Sequence, residues 1–391
     1  MRVLFTTQPL SGHVHPLLPF AHALAEAGHV VAFATHATLA TTIIRAGFRH
    51  FPAGLDWASN DRLPEFRTLP FGPERTAFIR REVFAGLRPR HLLPDLLAVA
   101  ADWSPDLIVH DEREYGGGLA GEILGLPHAA VGILATGDFI PRPPIVAALD
   151  AHRTGHGLPP DPDLAMLDRY LTLRPFPPSF QAPGLAVAPT THYLRPLLGD
   201  RTGTEALPPW VEDRPGQPLV YAGLGTQHPP PALFRAIIAG LAEEALTLVV
   251  TVGRDQDPAD YGPQPQNVHI ERYIPLSLLL PRCDAVVNNG GSGTLMAALA
   301  QGLPLVILSL TADQPENAAR CAALGVGIAL GREERTPVHI RDAVRAVLAD
   351  PSYRTNAGHL RDEMAALPGP EYAVALLERL AREKQPIVAA G

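Results

Sequence analysis

The feature that most narrows what this chain can fold into is a rhythm of short, continuously apolar runs, each followed by a longer run with helical spacing. "RVLFTT" (2–7) opens it, and "PLLPFAHALAEAG" follows, with proline near the helix start and Gly28 just past its end. "VVAFATH" (30–36), "DLIVHD" (106–111) and "HAAVGI" (128–133) continue the series. Strands that are apolar on both faces and alternate with helices predict a parallel sheet covered on both sides. The pattern then restarts. "PLVYAGLG" (218–225), "LTLVVTVG" (246–253), "DAVVNN" (284–289), "PLVILSL" (304–310) and "GIAL" (327–330) read as strands, and "ALFRAIIAGLAEE" (232–244) as a helix. The expected fold is α/β, with two Rossmann-like, doubly wound domains facing each other across a cleft. The first spans 1–200 and the second 218–370, joined by a polar, proline-rich linker over 201–217, and a last helical segment occupies 371–391.

Two stretches, 55–95 and 138–183, fit this rhythm poorly. They carry Trp57, Phe66, Phe71, Phe78, Phe84, Phe139 and Phe176 among prolines. Either they complete the core of the first domain or they wall an apolar pocket.

Composition excludes several classes. With 391 residues, two domains are the natural expectation, and 46% hydrophobic against 18% charged residues is ordinary for a globular chain. A net charge of −8 and the lack of any basic run argue against a nucleic-acid binder. Lys384 is the single lysine, a bias that reads as codon usage and not as chemistry. Cys283 and Cys321 give neither a disulfide framework nor metal-ligand spacing, which fits a reduced, cytoplasmic setting. The apolar N-terminus is broken by Pro9, Gly12 and Pro16, so it reads as a strand entering a helix and not as a signal peptide. No run approaches the roughly 18 apolar residues of a membrane span.

Ligands of open parallel sheets bind beyond the carboxyl ends of the strands, and three loops stand there. The first is "NNGGSGTLMAALAQG" (288–302), where Gly290, Gly291 and Gly293 permit close backbone and Ser292 and Thr294 offer hydroxyls. The start of the following helix presents unpaired N–H groups and partial positive charge, which suits an anionic oxygen; the alternative is a tight turn without a ligand. In "SLTADQPENAA" (309–319), Asp313 and Gln314 can hold neighbouring sugar hydroxyls, or Asp313 simply caps a helix. "SGHVHP" (11–16) places His13 in the loop after the first strand, where it is either structural or a general base. Asp111, at the end of "DLIVHD", should lie close enough to orient that imidazole. His15 has no companion ligands at a recognisable spacing, and the acidic pairs Asp161/Asp163 and Asp255/Asp257 read as solvated loops, so no metal is expected.

With these residues in place, the chain resembles the two-domain, GT-B type glycosyltransferases that glycosylate small molecules, and most of all their bacterial branch acting on antibiotic aglycones. The resemblance runs from "GHVHPLLPFAHALAEAGHVV" to the C-terminal helix and is most specific in "GGSGTLMAALAQGLPLVILSLTADQPENA"; "YAGLGT" (221–226) and "YIPLSLLLPRCDAVV" (273–287) also match in order and spacing. It implies that His13 is the catalytic base and Asp111 its acidic partner. Gly291, Ser292, Gly293 and Thr294 match the loop that holds the donor pyrophosphate, and Thr226 matches a hydroxyl facing the same phosphates. Asp313 and Gln314 match the pair that reads the donor sugar, and Tyr273 and Ile274 fall where the family packs and hydrogen-bonds the nucleobase. The last helix is expected to cross back onto the first domain. Where the family usually has histidine before the glycine pair, this chain has Asn289, an amide that can donate but stays neutral.

The function expected on that resemblance is inverting transfer of a sugar, a deoxysugar in this branch, from a nucleoside diphosphate donor to a hydroxyl of a small hydrophobic aglycone. No cofactor beyond that co-substrate is expected; a thymidine-linked donor (dTDP) is favoured over a uridine-linked one (UDP), and the helix end replaces a divalent metal. Two alternatives stand beside it. An epimerase or hydrolase acting on a nucleotide-sugar would need extra acids near the sugar and no apolar acceptor pocket. A catalytically silent auxiliary protein would be favoured by loss of His13 or of Asp313 and Gln314, all of which are present.

Overall fold

The computed structural model of the chain describes every residue except 71, 138–142, 198–205, 213–215, 226–229, 254–255 and 390–391. Its first half is built on a seven-stranded sheet: β1 (Arg2–Thr6), β2 (Val30–Thr35), β3 (Arg49–Pro52), β4 (Leu107–Asp111), β5 (His128–Val131), β6 (Leu171–Arg174) and β7 (Thr191–Tyr193). The second half holds six strands: β8 (Leu219–Gly223), β9 (Thr247–Thr251), β10 (Val268–Glu271), β11 (Ala285–Asn288), β12 (Leu305–Ile307) and β13 (Gly327–Ala329). The orders are β3-β2-β1-β4-β5-β6-β7 and β10-β9-β8-β11-β12-β13, and neighbouring strands run parallel. Both sheets are therefore doubly wound. Each reverses its winding direction between its first and fourth strands, the point at which sheets of this kind receive ligands.

The continuous apolar runs have the expected cause. Val3 and Phe5 of β1 enter one core cluster, while Leu4 between them enters the cluster on the other face. Val220 and Ala222 of β8 divide from Leu219 and Tyr221 in the same way. β3, β6, β7 and β10 carry no such signal in the sequence. Three of them are edge strands, and "RHFP", "THY" and "VHIE" are short and half polar because an edge position needs no second apolar neighbour. β6, inside the irregular 138–183 stretch, has Arg174 as its last residue.

The helix Pro370–Glu383 packs against the first half. Its Ala373, Val374, Leu376, Leu377 and Leu380 share a cluster with Val3, Phe5 and Leu24, and Ile387 beyond it joins them. Ala135, Phe176 and Phe180 of the first half are in turn buried in the main cluster of the second. Asp161 corrects an expectation: it is buried, and its carboxylate accepts from the N–H groups of Ala165 and Met166 at 2.9 and 2.8 Å, so it closes a turn instead of facing water. Asp257 caps the turn Pro258–Tyr261 and pairs with Arg272 at 3.1 Å; Asp255 lies outside the described residues. Among the described residues no helix is long and apolar enough to cross a membrane.

Candidate active site

β1 and β4 are hydrogen-bonded neighbours, with Thr6 opposite His110, so the loop after β1 and the end of β4 meet at the first switch point. His13 sits in the short helix Ser11–Val14 that follows β1, and Asp111 closes β4. His13 Nδ1 lies 3.2 Å from Asp111 Oδ2; the approach is close but does not meet hydrogen-bond geometry. Separations of this kind often tighten when substrate binds. Asp111 is fully buried and well supplied with donors. Its Oδ2 accepts from Thr7 Oγ1 at 3.0 Å and from the N–H of Gln8 at 2.9 Å, and its Oδ1 accepts from the N–H of Arg113 at 2.8 Å. Burial alone would raise its pKa, but the nearby His13 and the N–H groups of Gln8 and Arg113 outweigh that and hold it below the usual carboxylate range. Asp111 is therefore a fixed negative charge behind the imidazole. Thr7, Gln8 and Arg113 carry no motif, so sequence reasoning passed over them.

A second carboxyl stands beside this pair. Glu114 caps the helix Tyr115–Leu124, accepting from the N–H groups of Gly116 and Gly117 at 2.5 and 2.8 Å and from Thr6 Oγ1. Burial, helped by the charge of Asp111, pushes its pKa up to about 7.

In the second half, β8 and β11 are neighbours, with Gly223 opposite Asn288, and the glycine-rich turn leaves the second switch point. Asn288 Oδ1 accepts from the N–H of Gly290 at 2.6 Å, and Asn289 Oδ1 accepts from that of Gly291 at 3.2 Å. The two leading asparagines thus build the turn. Gly290 has φ +81, and a Cβ there would meet Ile307 Cγ2 at 3.0 Å and the Gln314 carbonyl at 3.1 Å, so both backbone and space demand glycine. Gly293 is different: it is exposed and helical, and an added Cβ would meet no atom within 4 Å. Nothing in the protein requires glycine there, whereas a ligand lying against the helix start would. The helix Ser292–Leu299 begins at this point, and the N–H groups of Ser292, Gly293 and Thr294 donate to no other described residue.

Ser292 turns its hydroxyl inward. It donates to Asp313 Oδ2 at 2.6 Å and accepts from the N–H of Ala135, in the first half, at 2.9 Å. What Ser292 presents outward is backbone. Asp313 precedes the helix Gln314–Ala323 but its side chain caps nothing; it is held by Ser292 and by Asn317 Nδ2 at 2.8 Å. Burial pushes its pKa up, against the hydrogen bonds from Ser292 and Asn317 and the field of His13, which reaches it from the other half. Gln314 spends its amide oxygen on the N–H groups of Leu310 and Thr311, at 2.7 and 3.0 Å, so only its NH₂ remains for a ligand. Asn317, fully buried and also bonded to the Gly290 carbonyl at 2.8 Å, ties this loop to the glycine turn. Sequence reasoning missed it, although it stands four residues after Asp313 on the same helix face.

The remaining expected residues are less central. Tyr273 is 37% exposed, whereas Ile274 is buried in the core. Thr226 lies outside the described residues, as do Phe71 and Phe139. Of the irregular aromatics, Phe78 and Phe176 are buried. Phe84, Trp57 and Phe66, all half-buried, make a chain of ring contacts that starts 6.4 Å from His13 and continues at 6.0 and 6.2 Å between centroids. Phe84 is carried by a π-helical stretch, Ile79–Leu87. Among the described residues no group of three or more His, Cys, Asp or Glu side chains is gathered as a metal ligand set.

Known proteins resemble the chain over nearly its whole length. The profile of the N-terminal domain of erythromycin biosynthesis protein CIII-like proteins matches residues 22–217, and that of their C-terminal domain matches 235–380. The chain is 32% identical to 4'-demethylrebeccamycin synthase of Lentzea aerocolonigenes, over 97% of this chain and 99% of that one. It is 30% identical to 10-deoxymethynolide desosaminyltransferase of Streptomyces venezuelae, over 98% of each. Among solved structures, the glycosyltransferase VinC in complex with dTDP superposes with a TM-score of 0.80 at 28% identity, covering 98% of this chain and 100% of that one. The chain belongs to the erythromycin biosynthesis protein CIII-like family, bacterial natural-product glycosyltransferases of the GT-B type.

Proposed function

We propose that this glycosyltransferase moves a deoxysugar from a thymidine diphosphate donor to a hydroxyl of a hydrophobic aglycone, with inversion at the anomeric carbon. One observation carries the reading: a base paired with a buried carboxylate, His13 and Asp111, lies within electrostatic reach of Asp313 across the two halves. Because Nδ1 of His13 faces Asp111, Nε2 is the nitrogen that takes the acceptor's proton as its oxygen attacks the sugar. Asp111 then stabilises the imidazolium. The departing diphosphate gathers charge opposite the unpartnered N–H groups of Ser292, Gly293 and Thr294 and the positive end of their helix, which on this reading takes the place of a metal ion. Asn289 borders the same phosphates, Asp313 and the NH₂ of Gln314 hold the sugar, and Tyr273 with Ile274 receives the base. Phe84, Trp57 and Phe66 supply an apolar wall for the aglycone next to His13.

The thymidine base is supported by the dTDP complex of VinC, and the aglycone by the likeness to 4'-demethylrebeccamycin synthase and 10-deoxymethynolide desosaminyltransferase. His13→Ala tests the chemistry. With a nucleotide-sugar donor and a panel of hydroxylated polycyclic and macrolactone acceptors, product formation followed by mass spectrometry should fall by about a hundredfold or more, while thymidine diphosphate still binds. Turnover at the wild-type rate would remove His13 as the base.

A further inference from the structure

The hydroxyl of Ser292 has one proton and accepts the Ala135 N–H, which arrives at 2.9 Å from the first half; Asn317 Nδ2 lies 3.2 Å away in the second, its two hydrogens directed at the Gly290 carbonyl and Asp313 Oδ2 at 2.8 Å each. With its acceptor side occupied, the proton is left for Asp313 Oδ2, 2.6 Å distant. Oδ2 also accepts from Asn317 Nδ2 at 2.8 Å, so both donors on the Asp313 side chain act on one oxygen. An N–H from one half of the molecule thus fixes the hydroxyl that fixes a carboxylate of the other.

Ala135 is itself held firmly. Glu112 Oε1 accepts from the N–H groups of Ile133 and Leu134 at 2.8 and 2.7 Å. Arg174 Nη2 donates to the Leu134 carbonyl at 3.1 Å, and the Gly132 N–H reaches the Leu173 carbonyl at 2.8 Å. Glu112 directly follows Asp111 in the chain. The same strand end that supports the His13 imidazole therefore grips the loop that reaches across to Ser292.

We infer that Glu112, the loop 132–137 and Ser292 form a latch between the two halves that orients Asp313 toward the sugar of a nucleotide-sugar donor. The inference rests on the reading of Asp313 given above. It makes Glu112 and Ser292 positioning residues: they touch no substrate atom through their side chains, yet they set recognition of the sugar. The nucleoside diphosphate without its sugar has no use for Asp313 and should be indifferent to the latch.

Calorimetry with thymidine diphosphate and thymidine-diphosphate-glucose as probes separates the cases. Glu112→Ala should bind thymidine diphosphate within about twofold of wild type and lose about tenfold in affinity for the glucose ester, as expected for a displaced hydrogen bond to a charged group. Glu112→Gln, which keeps an acceptor for both N–H groups, should recover most of that loss. In a Ser292→Ala background, adding Glu112→Ala should cost less than about twofold more, because both changes break one chain of contacts. Equal losses for the two ligands, no loss for the glucose ester, or losses that multiply in the double variant would each overturn the latch. If Glu112→Ala does not fold by circular dichroism, Ser292→Ala decides: it must weaken the glucose ester several-fold more than thymidine diphosphate, and equal weakening overturns the latch. Wild-type protein that binds neither probe overturns the functional reading itself, whereas binding of thymidine diphosphate but not the glucose ester overturns only the latch.

Discussion

At the scale of single residues, the site is a set of carboxyls given different tasks by their surroundings. Asp111 is held below the usual range by His13 and two backbone N–H groups in spite of burial, while Glu114, three residues on, is pushed up to about 7. Between the ordinary carboxyl pKa near 4.5 and about 7, the folded protein holds a proton that the unfolded chain has lost. This contribution to stability is complete below that window and disappears as pH rises through 7. Glu114→Gln should therefore flatten the fall in melting temperature between pH 5 and pH 7.5, read by scanning calorimetry; an unchanged slope would mean Glu114 titrates as an ordinary exposed carboxyl. His13 and Asp111 were legible in the sequence because strand ends of a parallel sheet announce themselves. Asn317 and Glu112 were not, since their partners, Gly290 and Ile133 among them, come from other elements. Asn289 was visible as a departure from the family, and its work is local: it accepts from Gly291 and shapes the turn that a histidine usually precedes.

At the scale of elements, the strands at the two switch points were all readable, because β1, β4, β8 and β11 are buried on both faces and are apolar over most of their length, with His110 of β4 held by hydrogen bonds. The edge strands β3, β7 and β10 were silent for the opposite reason. The helix Pro370–Glu383 is the element whose place depends most on tertiary contact. Its amphipathic pattern shows that one face is buried, but not against which half. Leu377 is fully buried among residues of the first half. Leu377→Ala should destabilise that half by about 3 kcal/mol, seen as a lower urea midpoint for its unfolding. An unchanged midpoint would show that the helix adds nothing to the first domain.

At the scale of the whole molecule, the restart of the strand–helix rhythm foretold two sheets, and the two switch points explain why chemistry gathers between them. One brings a histidine beside a buried carboxylate, the other a helix start with unpartnered N–H groups and the Asp313 loop. No sequence pattern could show that Ala135 reaches Ser292, since that contact exists only once both halves have folded and met. On the proposed reading the second switch point holds a nucleoside diphosphate through backbone N–H groups and without a metal. Titration of the purified protein with thymidine diphosphate and uridine diphosphate, with magnesium and then with a chelator, tests it most directly. One-to-one binding of thymidine diphosphate is expected, stronger than that of uridine diphosphate and unchanged when magnesium is removed. Absence of binding by either nucleotide, or binding that vanishes with the metal, would contradict it.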